Sequence, residues 1–175
     1  MSLRPAQKSA FAQIAVANAA SLAFILGAFV VVPFDSSSLE SAADRIGFAL
    51  RWEAFAALTL AFGVVRVSLF RLFSARAFDG SAPTADERAL EIGRRYLRNT
   101  VEQLALAVIA HLALATYLAP DAMRLIPILV TWFVMARIAF FVGYHRNPTA
   151  RILGFAATWL PTLVVLIYDV ARLVW

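Results

Sequence analysis

The sequence predicts an all-α integral membrane protein, and three observations carry that reading. Hydrophobic residues make up 62% of the 175 residues, and mean hydropathy is +0.75. That is well above the roughly 45–50% apolar share of a soluble domain. The apolar runs last about 18–24 residues, long enough to cross a bilayer as helices and too long for the ~10-residue alternating segments of a membrane barrel. Charges are sparse and gather at the ends of these runs, apart from one polar stretch discussed below. Cysteine is absent, which excludes disulfides, thiolate metal sites and cysteine nucleophiles. The net charge of +5 is almost all arginine, with Lys8 the only lysine. In a membrane protein that sign reports topology and lipid contact, not nucleic acid.

Five spans follow in order. After a short polar start with Arg4 and Lys8, Phe11–Phe34 is an apolar run. It exceeds the 7–15 residues typical of a signal-peptide core and no small-residue cleavage pattern follows, so it is expected to be an uncleaved helix. Its alanines and Gly27 are expected to permit close helix packing. Asp35–Asp44 reads as a Ser-rich acidic loop and Ile46–Phe73 as the second span, with Thr59, Phe62, Arg66, Phe70 and Phe73 on one face. Ser74–Gly93 is the one substantial loop, in which Thr84 and Glu87 give a weak helix-start signal. The third span ends before Pro120, and Asp121–Arg124 is a tight turn. Leu125–Tyr144 is the fourth span, with Pro127 in its first turn where proline is tolerated. A short loop holds Asn147 and Pro148, and Arg151–Trp175 is the fifth span, with Pro161 predicting a kink.

The positive-inside rule orients these spans. With the N-terminus inside, Arg4, Lys8, Arg71, Arg76, Arg88, Arg94, Arg95, Arg98, Arg146 and Arg151 all fall inside. Outside are Arg45, Arg51, Arg124 and Arg172, accompanied by five acids. The C-terminus is then outside, and the expected location is a bacterial inner membrane.

Residues Arg94–Leu118 organise the chain. The first half of this span carries Arg94, Arg95, Arg98, Asn99, Glu102 and Gln103 into hydrocarbon. At about 100° per residue, Arg95, Asn99 and Glu102 share a helix face. Intramembrane ionisable groups are costly and usually face a bundle interior. Counting residues from the inner surface puts Glu102 and Arg137 roughly 10 Å deep, and Arg66 roughly 8 Å. These three are expected to converge, with a surplus of guanidinium that calls for an anionic ligand. The alternative is snorkelling arginines plus one structural Glu–Arg pair. Arg137 and Tyr144 share a face with Phe141 beside them, and Arg151, Phe155, Thr158 and Thr162 share another. Arg151 could instead anchor in headgroups and Tyr144 belong to an interfacial belt. His111 lies about 160° round the helix from Arg95 and reads as an interhelical hydrogen-bonding residue, not a base. His145 is expected in a loop. No metal-ligand spacing, phosphate loop or hydrolase triad appears.

Two stretches resemble the family of membrane-associated proteins in eicosanoid and glutathione metabolism, MAPEG. Glu91–Glu102, EIGRRYLRNTVE, is similar to the family's E-x-x-x-R-x-x-x-N-x-x-E through Glu91, Arg95, Asn99 and Glu102. Arg137–Phe155, RIAFFVGYHRNPTARILGF, is similar to the arginine, Gly-Tyr, Arg-Pro-rich turn and Arg-x-x-Gly-Phe of bacterial-type members. Arg71–Phe78 resembles the basic end of the family's first helix. The resemblance covers about Ile46–Trp175, so the expected organisation is a four-helix MAPEG-like bundle over 46–175, preceded by an extra transmembrane helix and acidic loop over 1–45.

The resemblance implies a homotrimer in the lipid bilayer, with sites between neighbouring subunits near the cytoplasmic face. It implies glutathione as the bound cofactor and a small lipophilic substrate or lipid as second ligand. Arg71, Arg95, Asn99, Glu102 and Tyr144 match positions that line or support the glutathione site, and Arg137 matches the motif arginine of the family's third helix. Arg151 is the candidate catalytic residue, holding the thiolate. Two departures stand out: the helix Phe11–Phe34 has no counterpart in the four-span core, and Ile152 and Phe155 stand where glutathione-activating members carry serine and tyrosine. The implied activity is glutathione transfer to lipophilic electrophiles or reduction of hydroperoxides. The alternative is a non-catalytic lipid-binding or structural protein of the same fold. A transporter is a weaker third reading, since neither repeat symmetry nor a broken mid-membrane helix pair is present.

Overall fold

The computed structural model describes residues 4–74, 88–147 and 149–174. It shows α1 (Pro5–Val31), α2 (Ala42–Phe73), α3 (Arg88–Tyr117), a 3-10 turn (Pro120–Arg124), α4 (Leu125–Arg146) and α5 (Arg151–Val174). Among the described residues, five helices are long and apolar enough to cross a membrane. The all-α membrane fold expected from composition is therefore present, with several boundaries moved.

Local chemistry explains the moved boundaries. α2 begins at Ala42, not Ile46, because Ser41 and Asp44 form a capping box. The Ser41 hydroxyl accepts from the Asp44 amide at 3.1 Å while the Asp44 carboxylate accepts from the Ser41 amide at 3.3 Å. Two orphan donors are thereby satisfied, and the helix starts where they are. In the loop before it, the Ser37 amide donates to Asp35 at 2.9 Å and holds that carboxyl below the usual aspartate range. α3 begins by Arg88, so the expected loop Ser74–Gly93 gives up its last residues to helix. The Thr84–Glu87 start signal lies outside the described residues. α4 runs on to Arg146, which places His145 in its last helical turn and not in a loop.

Apolar side chains are distributed as a bilayer requires. Leu22, Val30, Phe55, Leu58, Ile109, Ile138, Ile167 and Val170 point outward, as lipid-facing residues do. Inside, α2 lies against α3, and α4 against α5. Their shared core includes Ala56, Ala107, Ala110, Ile126, Val130 and Phe133. α1 lies against α5 and, more lightly, α4. Ala17 buries against Ala136, Ala156 and Ala157, as expected of small residues at a helix contact. Gly27 does not share in this: a Cβ there would meet nothing within 4 Å.

α5 stays helical through Pro161, and the structure shows how. Proline has no N–H to give the Ala157 carbonyl four residues back. The Trp132 indole donates to that carbonyl instead, at 2.8 Å. α4 and α5 approach closely at Gly154, where a Cβ would lie 2.3 Å from the Phe140 amide nitrogen and 2.7 Å from the Ala136 carbonyl oxygen. Only glycine lets α4 and α5 meet backbone to backbone there.

Gly154→Ala should therefore force the two helices apart and cost about 1–3 kcal/mol. Thermal unfolding in detergent should show a clear fall for Gly154→Ala and none for Gly27→Ala; equal behaviour of the two would contradict the close approach.

Candidate functional site

The site begins with one buried arginine. Arg137 sits in the interior with no solvent exposure. Its Nη1 donates to Asn99 Oδ1 at 2.8 Å, and its Nη2 donates to Thr158 Oγ1 at 2.5 Å and to the Gly154 carbonyl at 3.2 Å. Its guanidinium carbon lies 4.6 Å from the Phe140 ring centre. All these partners are neutral, so the cation keeps its charge without a carboxylate at hand. α3, α4 and α5 are joined at this one group.

A cavity of about 370 Å³ opens beside it, lined by Arg95, Asn99, Phe140, Tyr144, Arg151, Ile152 and Phe155. The α4–α5 connection builds its rim. Asn147 Oδ1 accepts from the Thr149 amide and hydroxyl and from the Ala150 amide, at 2.7–3.1 Å. This side-chain turn reverses the chain tightly. Gly143 admits the returning strand of backbone, since a Cβ there would stand 2.5 Å from the Ala150 carbonyl oxygen. Tyr144 and Arg151 are thereby brought side by side. The Arg151 guanidinium donates to the Tyr144 hydroxyl and stacks over the same ring, its carbon 4.7 Å from the centroid. Arg95 lines the same cavity, within electrostatic reach of Tyr144. Arg95 is also paired with Glu91 at 2.5 Å.

The structure thus brings together Arg95, Asn99, Tyr144 and Arg151, with Arg137 directly behind them. It does not assemble the expected trio Arg66, Glu102 and Arg137. Glu102 points away from the core and pairs with Arg98 at 3.4 Å, both side chains more than half exposed. The interior face of α3 is taken instead by Tyr96, Thr100, Gln103, Ala107 and His111. Arg66 lies on the far side of an aromatic wall. Tyr96 stands 6.2 Å from Phe140 and 5.3 Å from Phe141, and Arg66 sits over the Phe141 ring at 4.9 Å and bonds His145 Nε2 at 3.1 Å. Phe62, Arg66, Phe70 and Phe73 do share a face, along a separate shallow groove. Arg71, in the last turn of α2, lies outside the lining of the Arg95–Arg151 cavity. The surplus of guanidinium survives with different members: Arg95, Arg137 and Arg151 against Glu91.

His111 is an interhelical hydrogen-bonding residue, its Nδ1 2.5 Å from Glu53 Oε1. The residue that sequence reasoning passed over is that partner. Glu53 lies near the start of α2, and its position on the Ala49–Ala56 small-residue face is the signal that marks it as buried.

Comparison with known proteins adds three findings. A family model described as the MAPEG family matches residues 47–170. The chain is 28% identical over 165 residues to Transmembrane protein 79 of Bos taurus, covering 93% of this chain and 41% of that protein. It is 27% identical over 146 residues to Transmembrane protein 79 of Mus musculus, covering 83% and 36%. The chain spans about two fifths of the length of the curated relatives it matches. No solved structure matches it.

Because Arg137 is held only by neutral acceptors, losing one leaves a buried cation short of a partner, at a cost of about 1–3 kcal/mol. Thr158→Val should lower the unfolding temperature, whereas Lys8→Ala, at an exposed side chain of α1, should not. Indistinguishable melting curves would show that Thr158 is not needed to hold Arg137.

Proposed function

Since the chain belongs to the MAPEG family, we propose that it binds glutathione in the Arg95–Arg151 cavity and presents the sulfur to lipophilic electrophiles. One observation carries this reading: Arg95 and Arg151 line one cavity with Tyr144, whose hydroxyl Arg151 engages, and that lining holds no carboxylate. Such a site favours an anion. Glutathione brings two carboxylates and a thiol. A free thiol near pKa 8.5 is mostly protonated at neutral pH, and adjacent cations lower that value.

The roles divide by position. Arg95 clamps a carboxylate, with Glu91 fixing its side chain. Asn99, oriented by Arg137, offers its amide N–H groups to the ligand. Arg151 faces the sulfur and stabilises the thiolate. Ile152 and Phe155 line the cavity as apolar groups where a serine and tyrosine would supply hydroxyls. Tyr144 is the hydroxyl available in their place. In transfer, the thiolate attacks the electrophilic carbon, a carbon–sulfur bond forms, and the displaced electron pair takes up a proton. In hydroperoxide reduction, two glutathione molecules become the disulfide while the peroxide leaves as alcohol and water.

The exposed stripe of α3 supports a homotrimer. Arg95, Arg98 and Glu102 face outward from a single chain at a level where lipid is a poor solvent for charge. A neighbouring copy would cover them, and Glu102 and Arg71 would then complete sites shared between subunits. We also read the N-terminus and this end of the bundle as cytoplasmic, on the arginine bias of the loops. A second reading, a non-catalytic lipid-binding protein, is favoured by the groove of about 630 Å³ between α2 and α4, whose lining from Trp52 to Phe141 is almost wholly apolar.

Calorimetric titration of glutathione into detergent-solubilised protein tests the proposal. Each lost charged hydrogen bond is worth about 1.5–3 kcal/mol, so Arg95→Ala should weaken binding by about tenfold or more. Arg151→Ala should abolish the thiolate difference absorbance while leaving the oligomer intact. Tyr144→Phe should shift thiol ionisation to higher pH. No heat from the unmodified protein would favour the lipid-binding reading.

A further inference from the structure

Toward the opposite end of the bundle, three ionisable side chains from three helices are buried, two of them in contact. Glu53 of α2 is 5% exposed, His111 of α3 3% and Asp169 of α5 5%. Glu53 and His111 are in contact through Oε1 and Nδ1. Asp169 lies within electrostatic reach of His111. Glu53 Oε2 and both Asp169 carboxylate oxygens are inaccessible and accept no hydrogen bond. None of the three belongs to the Arg95–Arg151 cavity.

The surrounding charges do not neutralise this cluster. Arg45 donates to the carbonyls of Leu39, Glu40 and Ala115. Arg124 donates to the carbonyls of Phe29 and Asp121. Arg172 lies over the Tyr117 ring at 5.8 Å. Arg51 and Asp121 are exposed, as is Tyr168, and Asp44 is engaged with Ser41. With a neutral imidazole, two ionised carboxylates would leave two uncompensated charges in hydrocarbon, which a carboxylic acid avoids by keeping its proton. Among the described residues, no group of His, Asp and Glu is arranged to hold a metal ion.

We propose that Asp169, buried near the Glu53–His111 contact, is a proton-binding site whose unpartnered carboxyl carries a proton at neutral pH. The ligand is the proton itself. Once deprotonated, Asp169 and Glu53 repel one another, so loss of the proton loosens α5 from α2 and α3.

Infrared spectroscopy of the full chain in detergent, with and without carboxyl-¹³C aspartate, tests this. At pH 7 the unmodified protein should show a carboxylic-acid C=O band that moves with the label and disappears in Asp169→Asn but persists in Asp121→Asn. Absence of any label-sensitive acid band at pH 7 would overturn the proposal, and so would its persistence in Asp169→Asn. Should Asp169→Asn fail to fold, the labelled unmodified protein decides alone. A sodium-dependent rise in melting temperature without an acid band would mean a metal cation occupies the site, and would equally overturn it.

Discussion

The buried guanidinium of Arg137 is the constraint on which the rest depends. A cation inside an apolar bundle must find acceptors or destabilise the fold. Here it finds a side-chain amide on α3 and a hydroxyl and a bare carbonyl on α5. The last of these is reachable because Gly154 lets the α4 and α5 backbones touch. The same arrangement fixes Asn99 at the cavity wall. Helix packing and the candidate site are therefore one problem with one solution, and a change that spoils the first also displaces the second.

An aromatic wall separates two electrostatic environments. On the Phe140 side, Tyr144 shares a polar cavity with Arg95 and Arg151. On the Phe141 side, Arg66 bonds His145 and lines a separate, largely apolar groove. Edge-to-face contacts such as Phe62–Phe141 at 5.1 Å hold the wall in a fixed geometry. Among the described residues, Arg66 is thus kept apart from the cationic pocket that Arg95 and Arg151 line. Division of the cations explains why a moderate number of charges can serve both a ligand site and the helix–helix contacts.

Much of this was legible before any coordinates. Arg137 could be recognised as buried because it interrupts an apolar run, and Tyr144 and Arg151 could be grouped by their motif across the turn. His111 could be assigned a hydrogen bond between helices because it lies about 160° round α3 from Arg95. Arg66 and Glu102 could not be placed correctly by depth. Residues at one level of a membrane can stand on opposite sides of a bundle, and helical period fixes an angle only relative to the same helix. Glu53 and Asp169 were invisible as neighbours of His111 because each lies 58 residues from it along the chain, and each reads singly as a charge near a helix end.

By itself the sequence determined the class, the five helices, the polar character of one face of α3 and the family to which the motifs belong. Those properties are local: hydropathy over some twenty residues, and spacing within one turn or motif. Tertiary structure alone decided which faces meet. It turned Glu102 outward, moved Arg66 behind an aromatic wall, set Trp132 against the carbonyl that Pro161 frees, and joined Glu53 to His111. The physical reason is that close packing depends on the shape of both surfaces at once, and a glycine such as Gly154 acquires its meaning only from the backbone that comes to lie against it.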